Sequence, residues 1–165
     1  MKTNIFLLLS LLILFVACKK EDPEVKYLST YPISGEWFVN LYLEANPGAG
    51  DWEAQNSSLA TIYTYNTASN KGDSIWIFDN GNILDFRIKS AINVARRTFS
   101  VDNYIDLVSD TLVSVSNGKV IENAGKTLSG NKSDSITMDV VYKRDPSTIY
   151  RIAGHRRTGF LEDEP

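Results

Sequence analysis

The stretch SGEWFVNLYLE, residues 34–44, decides the fold class of this chain. Gly35, Trp37, Val39, Leu41 and Leu43 would share one side of an extended segment, and polar residues fill most of the other side. Because successive side chains of a β-strand point to opposite faces, this alternation predicts a strand with one buried face.

Similar alternation continues along the rest of the chain. It predicts strands over 60–67, 74–78, 84–89, 92–101, 119–121, 136–143 and 150–155, whereas residues 103–112 fit a short helix as well as a strand. Asp-Asn-Gly-Asn at 79–82 and Asn-Gly at 117–118 are typical of hairpin turns, and Asp-Pro-Ser at 145–147 predicts another turn.

About eight short strands joined mostly by tight turns predict an all-β, antiparallel sandwich or closed barrel. A closed barrel leaves no sheet edge exposed. A barrel of eight strands is either filled by side chains or just wide enough for one small ligand. We therefore expect an antiparallel eight-stranded barrel.

The first 17 residues have the features of a secretory signal peptide. Lys2 precedes an apolar run from Ile5 to Val16, which is too short to span a bilayer, and Ala17 stands before Cys18. Leu-Phe-Val-Ala-Cys at 14–18 resembles the lipobox of bacterial lipoproteins. This resemblance implies cleavage before Cys18, acylation of its thiol and stable membrane attachment. The alternative is an ordinary secreted protein with an incidental cysteine.

Residues 18–33 are charged and lack periodicity, so we expect a lipidated tether. Lys-Glu-Asp at 20–22 resembles the acidic surface-export signal of Bacteroidetes lipoproteins, and a generic charged linker is the alternative. The expected location is the outer membrane, on its periplasmic or its cell-surface face. Residues 34–160 would form the single barrel domain and 161–165 an acidic tail.

The composition argues against a nucleic-acid partner and against a disulfide bond. After residue 17 the chain has 16 Lys and Arg against 20 Asp and Glu, a net charge of −4. This mild acidity, and the lack of a basic, aromatic-rich stretch, argue against nucleic acid as a partner. Cys18 is the only cysteine, so we expect no disulfide bond.

Gly-x-Trp at 35–37 and the pair Arg156-Arg157 occupy the two ends of the domain. This resembles the calycin arrangement, in which Gly-x-Trp near the start of a lipocalin-like barrel packs beneath an arginine from its end. The resemblance implies that Trp37, Arg156 and Arg157 close one end of the barrel. A guanidinium over the indole would gain cation–π attraction.

YPISGEW at 31–37 and YRIAGHRRTGF at 150–160, together with the lipobox, are more specific. With them the chain resembles the Bacteroidetes family of calycin-like lipoproteins labelled lipid-binding putative hydrolases, over nearly the whole mature sequence. The label implies a barrel that takes up a lipid or another hydrophobic small molecule.

The inward positions of the predicted strands would provide an apolar ligand cavity, or equally a filled core. The candidate lining residues are Val39, Leu41, Leu43, Leu84, Phe86, Ile88, Met138, Val140, Tyr142 and Ile152. We also expect Trp52, on a long flexible loop over 46–58, to contact ligand at the barrel mouth, or else to plug its rim.

The sequence offers no clear catalytic or metal-binding constellation. His155 is the only histidine, and Gly-x-Ser-x-Gly is absent. Residues 79–82 resemble a calcium loop, but their hairpin role is sufficient, so we expect neither a metal nor a cofactor. Whether the protein is an enzyme stays open, with a weak hydrolase as the less favoured reading.

The leading interpretation is a membrane-anchored lipoprotein that binds a small apolar or amphipathic, lipid-like ligand inside a β-barrel. The alternative is a filled barrel that acts as an interaction module of a surface assembly. In that case the outward Phe38, Tyr42, Tyr63, Tyr65 and Trp76 would contact a surface protein or a glycan.

Overall fold

The structure is a computed structural model that describes residues 24 and 26–165. Cys18, the signal peptide and most of the tether lie outside the described residues. Over these residues the chain forms nine strands and a short 3₁₀-helix, Leu161–Asp163. The strands are β1 (Gly35–Glu44), β2 (Trp52–Ala54), β3 (Ala60–Asn66), β4 (Ser74–Phe78), β5 (Arg87–Asn93), β6 (Thr98–Ile105), β7 (Leu112–Lys126), β8 (Lys132–Tyr142) and β9 (Asp145–Arg156).

Eight of these strands close into a barrel. From β3 to β9 each strand pairs antiparallel with the next, and β1 closes the ring by pairing with β3 and with β9. β2 stands outside the ring and pairs only with the last three residues of β1. The predicted all-β, antiparallel eight-stranded barrel is confirmed.

Antiparallel pairing gives the barrel two distinct ends. β1 begins and β9 finishes at one end, where Trp37 pairs with Arg156, and we call this the Trp37 end. β1 finishes and β9 begins at the opposite end, next to the 79–86 connection. Within the described residues, no helical segment has the length and apolar character that crossing a membrane requires.

Several predicted boundaries differ from the structure. Residues 92–101 form the end of β5 and the start of β6, joined by a turn at 94–97. β5 begins only at Arg87, so Leu84 and Phe86 belong to the connection over 79–86. Residues 103–112 contain the end of β6, a loop over 106–111 and the first residue of β7.

Two predicted turns are wrong. Asn117 and Gly118 lie inside β7, where its register with β8 shifts between Ser116 and Lys119. Asn117 has φ = 53°, and a β-bulge can use the same left-handed conformation as a hairpin turn. Residues 145–147 begin β9, and the β8–β9 turn is formed by residues 143–144.

The β7–β8 hairpin and the C-terminal segment pack together at the tip of the hairpin. Asp163 accepts hydrogen bonds from the Ser129 backbone amide at 3.1 Å and hydroxyl at 2.6 Å, and from the Thr158 hydroxyl at 2.6 Å. These hydrogen bonds lower the pKa of Asp163. Residues 161–165 are therefore tied to the domain through a buried carboxylate.

Candidate ligand-binding site

Arg156 covers Trp37 at the Trp37 end of the barrel. Its guanidinium carbon lies 4.2 Å from the centroid of the indole ring. Two of its nitrogens donate to the carbonyls of Ser34 at 2.6 Å and Pro32 at 3.2 Å, and a third lies 3.3 Å from Asp134. Arg156 thus holds the segment before β1 in place through hydrogen bonds while its guanidinium lies over the indole of Trp37. Cation–π attraction adds to these hydrogen bonds.

Trp37 itself has no exposed surface, and its indole nitrogen donates to the Thr64 hydroxyl at 2.8 Å. A Cβ atom at Gly35 would overlap Arg156 Nη1, so a larger residue there would displace the guanidinium from its place over the indole. Arg157 takes a different place: it lies over the Phe38 ring at 5.8 Å and forms ion pairs with Glu36 and Glu164. Of the two arginines, only Arg156 lies over Trp37.

Most candidate lining residues form a solid core. Seven of the ten are at most 3 % exposed: Val39, Phe86, Ile88, Met138, Val140, Tyr142 and Ile152. A side chain that bordered a cavity large enough for water would keep accessible area on that side. The near-zero exposure therefore means that these side chains, with Trp37 and their neighbours in the same cluster, fill the barrel interior.

The remaining candidates, Leu41, Leu43 and Leu84, are half-buried and lie towards the opposite end of the barrel. Leu43 lines a pocket of about 330 Å³. The other walls of this pocket are the 44–48 segment and residues 147–149 at the start of β9. This volume is at the lower limit for small-molecule sites, which run from about 300 to 1,000 Å³.

The loop beside this pocket is held in place by two carboxylates. Glu44 accepts hydrogen bonds from the backbone amides of Gly48 and Gly50. Asp51 accepts from the Asn46 side chain at 2.6 Å and from its backbone amide at 3.1 Å, and these bonds lower the pKa of Asp51. These hydrogen bonds order the first part of the predicted long loop over 46–58 as a turn, and β2 interrupts the rest of it.

The 79–86 connection caps the same end of the barrel. The buried Asp79 carboxylate accepts five backbone N–H groups, from residues 81, 83, 84, 85 and 86, at 2.6–3.2 Å. The Tyr142 hydroxyl donates to the Leu84 carbonyl at 3.1 Å. Burial, and then the Asp106 and Asp79 carboxylates, raise the pKa of Tyr142, so this hydroxyl keeps its proton and its hydrogen bond.

Trp52 lies on the outer wall rather than over the barrel mouth. It is half-buried, and its ring centroid is 3.8 Å from the guanidinium carbon of Arg151. Arg151 alternates with the inward-pointing Ile152 and therefore belongs to the outer face of β9. Sequence spacing placed Trp52 on a loop but could not show that this loop folds back along β1.

His155 also points outward, yet it is only 7 % exposed. Its ring meets Phe38 edge-on, with centroids 6.0 Å apart, and its Nε2 has no hydrogen-bond partner within the described part of the chain. Burial lowers the pKa of His155, although the Asp163 charge opposes this. A neutral imidazole without a hydrogen-bonded serine or carboxylate is not arranged as the base of a Ser–His–Asp triad.

No group of three or more His, Cys, Asp or Glu side chains within residues 24 and 26–165 is arranged to hold a metal ion. The Asp79 carboxylate, in the segment that resembles a calcium loop, is instead occupied by backbone amides. The chemistry of the described site is thus dominated by an apolar interior, a small pocket at one end and charged groups on the outer wall.

Comparison with known proteins identifies the family. Residues 22–161 match the family model described as lipid-binding putative hydrolase. The chain belongs to this family. The resemblance inferred from the two terminal motifs is confirmed, and family membership together with the β-barrel supports a lipid-binding role. No curated protein matches the chain.

A similar solved structure is a structural-genomics protein of unknown function from Bacteroides ovatus, with 14 % sequence identity and a TM-score of 0.43. The alignment covers 77 % of this chain and 43 % of the other protein, so this chain spans less than half the length of that relative.

Proposed function

We propose that this member of the lipid-binding family is a lipoprotein, anchored to the outer membrane through Cys18, that binds the apolar part of an amphipathic ligand at the end of the barrel opposite Trp37. The observation that carries this proposal is the pocket of about 330 Å³ beside Leu43. Of the candidate lining residues, Leu43 is the one that combines an inward position with a wall of this pocket.

The filled interior determines how such a ligand would bind. An acyl chain cannot occupy space held by the fully buried residues, but Leu41, Leu43 and Leu84 are only half-buried and can move with less loss of packing. Each square ångström of apolar surface removed from water contributes about 25 cal/mol. The ligand would gain affinity from desolvation against these side chains, and deeper insertion would require the 79–86 connection to open.

Binding is tested with a fluorescent fatty-acid probe and the full-length protein in detergent. Ile149 lines the pocket and is 42 % exposed, and Ile121 on β7 is 44 % exposed but is not part of this pocket. We expect Ile149→Gln to weaken probe binding several-fold and the matched Ile121→Gln variant to bind like wild type. Absence of binding, or equal loss in both variants, contradicts the proposed site.

The anchor needs a separate test because Cys18 lies outside the described residues. Cells expressing the protein are labelled with an alkyne analogue of palmitate, and the membrane fraction is examined for labelled protein. We expect wild type to be labelled and Cys18→Ala to lose the label. Labelling that persists in the variant, or that is missing from wild type, contradicts acylation of Cys18.

A second candidate function, an interaction module, is favoured by the outer face of β3, β4 and β5. Tyr63 and Phe78 are cross-strand neighbours with ring centroids 6.3 Å apart, and the Arg87 guanidinium lies 5.8 Å from the Phe78 ring and 5.2 Å from Trp76. These half-buried rings form a continuous aromatic surface that suits a glycan or a protein partner.

The predicted contribution of Phe38 to this surface is wrong. Phe38 points outward, but it is only 2 % exposed because Arg157 and His155 pack against it.

Pull-down from the native membrane with Trp76→Ala, compared with Trp52→Ala as a second half-buried outer tryptophan, tests the interaction module. Loss of a partner only with Trp76→Ala supports it, and identical capture by all three proteins contradicts it.

A further inference from the structure

A second concave surface lies on the outer wall of the barrel, away from the pocket at Leu43. It has a volume of about 730 Å³ and runs across β5 to β9. Thr137, Asp139 and Arg151 belong to its lining and alternate with the buried Met138, Val140 and Ile152. They therefore point outward, and we call this concavity the outer groove.

A charged network forms part of the outer groove. Arg151 donates to both oxygens of Asp139, from Nε to Oδ1 at 2.7 Å and from Nη2 to Oδ2 at 3.0 Å. The Asn117 amide donates to Oδ2 at 2.8 Å. Burial raises the pKa of Asp139, but these hydrogen bonds and the Arg151 charge lower it by more. The pKa is therefore lowered overall, and the carboxylate is ionised at neutral pH.

The guanidinium of Arg151 is fixed in position from two sides. Asp139 holds Nε and Nη2, and the Trp52 ring lies against the guanidinium at 3.8 Å. Nη1 makes no hydrogen bond within the described residues, and the side chain remains 32 % exposed. A cation that is held rigidly yet keeps a free donor has little rotamer entropy left to lose when a ligand binds.

The bulge in β7 places Asn117 over this network. The backbone of Asn117 has a left-handed conformation, with φ = 53°, at the point where the register of β7 and β8 shifts. Its side-chain amide points towards Asp139. Gly118 follows, where a Cβ atom would overlap the Phe99 ring and carbonyl. β-bulges commonly change the direction of a side chain next to a functional site. Here the bulge directs the Asn117 amide to Asp139, and Gly118 leaves room for Phe99 in the lining of the outer groove.

The charged side chains that line the outer groove sum to one positive charge in a protein that is acidic overall, and the Glu44 carboxylate outside this lining also acts on Arg151. Lys119 lines it, is exposed and forms no ion pair within the described part of the chain. Together with Arg151 it outweighs Asp139 by one charge. The hydroxyls of Thr98, Ser100 and Thr137 add neutral donors and acceptors along the same lining.

We propose that the outer groove binds a polar group that carries one phosphate negative charge and hydroxyls, of the phosphoglycerol type. The phosphate would contact Lys119 and the exposed part of the Arg151 guanidinium, and the hydroxyls would face Thr98, Ser100 and Thr137. The group can come from the headgroup of an anionic lipid or from a free phosphate ester. This site is separate from the proposed acyl-chain pocket and does not depend on it.

Trp52 provides the readout because its ring rests on Arg151. The full-length protein in neutral detergent micelles is titrated with sn-glycerol 3-phosphate in one arm, and with micelles doped with phosphatidylglycerol in the other. We expect a saturable change in tryptophan fluorescence that is lost in Trp52→Phe. Response to the soluble ester identifies a site for free phosphate esters, and response to doped micelles alone identifies a lipid headgroup site.

Lys119→Ala should weaken the response about tenfold, as expected for loss of a charged hydrogen bond. Lys71→Ala removes the same charge from an exposed position that is not in the groove lining, and it should bind like wild type. Ser100→Leu, which fills part of the outer groove from an exposed strand position without adding a fluorophore, should also abolish the response. No response in either arm, or equal affinities for Lys119→Ala and Lys71→Ala, overturns the proposal.

The fatty-acid probe separates this site from the acyl-chain pocket. Lys119→Ala should leave probe binding at the Leu43 pocket unchanged, while Ile149→Gln should leave the phosphoglycerol response unchanged. A loss of both activities in both variants would show a single shared site and overturn the separate outer groove.

Discussion

The barrel interior and the outer groove are built from the same strands but have opposite properties. On β8 and β9, Met138 and Ile152 point inward and have no exposed surface, whereas Asp139 and Arg151 point outward and form a charged pair. The interior is apolar and filled, and the outer groove is polar and holds about 730 Å³. Alternation along a strand thus places the residues that pack the core and the residues that form the charged wall on opposite faces of the same strands.

This comparison changes where binding should be sought in an eight-stranded barrel of this kind. A family described as lipid-binding suggests a hollow interior, but here side chains occupy it. Space for a ligand lies at the end of the barrel beside Leu43 and on the outer wall. If the interior and the wall differ in stability as they do in chemistry, substitutions inside the barrel should lower the free energy of unfolding more than substitutions on its wall.

The largest effect is expected in the interior. Met138→Ala should reduce the free energy of unfolding by about 2–5 kcal/mol, because it removes packed volume where no water-sized space exists. Thr137→Ala, the adjacent residue on the outer face, should change it by about 0.5 kcal/mol or less. Urea unfolding of the two variants measures the difference. A Met138→Ala variant as stable as wild type would mean that the interior is not tightly filled.

The seam between β1 and β9 is the next most sensitive place. A Cβ atom on Gly154 would overlap the Phe38 carbonyl and crowd the Val39 backbone. Gly154→Ala should therefore cost about 1–3 kcal/mol, since backbone must shift to admit it. Gly48→Ala is the comparison, because a Cβ atom there meets nothing within 4 Å, although its φ of 82° adds some strain. Equal thermal unfolding of both variants would argue against a tight seam.

The charged network of the outer groove should contribute less to stability. Asp139→Asn removes the ion pair with Arg151, which is partly solvent-exposed, so we expect a loss of about 1–2 kcal/mol. Because the folded state holds the pKa of Asp139 below the ordinary value of 3.8, this stabilisation is present above that pH. It should disappear as acid protonates the carboxylate.

Urea midpoints measured between pH 6 and pH 3 check this expectation. Wild type should lose stability on acidification below about pH 4, and Asp139→Asn should show a smaller part of that loss. Parallel pH profiles for the two proteins would mean that Asp139 adds nothing to acid sensitivity.

The smallest expected effect concerns His155 on the outer face. Burial lowers its pKa below the ordinary value of 6.5, so the folded state favours the neutral imidazole. Protonation is easier in the unfolded chain, and stability should fall as pH decreases below 6.5. His155→Gln should flatten the pH dependence between pH 7.5 and pH 5.5. A steeper profile in the variant would contradict the sign of this linkage.

Local patterns were sufficient for the fold class and for the family. Alternation in residues 34–44 predicts β1, and the same rule predicts β8, because periodicity is a property of neighbouring residues. Gly35, Trp37 and Arg156 pointed to the same end of the barrel, since they stand at the first and last strands. Trp52 was missed as a partner of Arg151 because its position depends on β2 pairing with β1.

The sequence alone therefore determined a barrel with apolar residues inside, whereas acylation at Cys18 stays a prediction. Tertiary structure decided that the interior is filled, that Phe38 and His155 are buried although they point outward, and that Asn117 belongs to a bulge. The physical reason is that periodicity specifies which face a side chain occupies, whereas volume, exposure and long-range pairing depend on segments far apart in the chain.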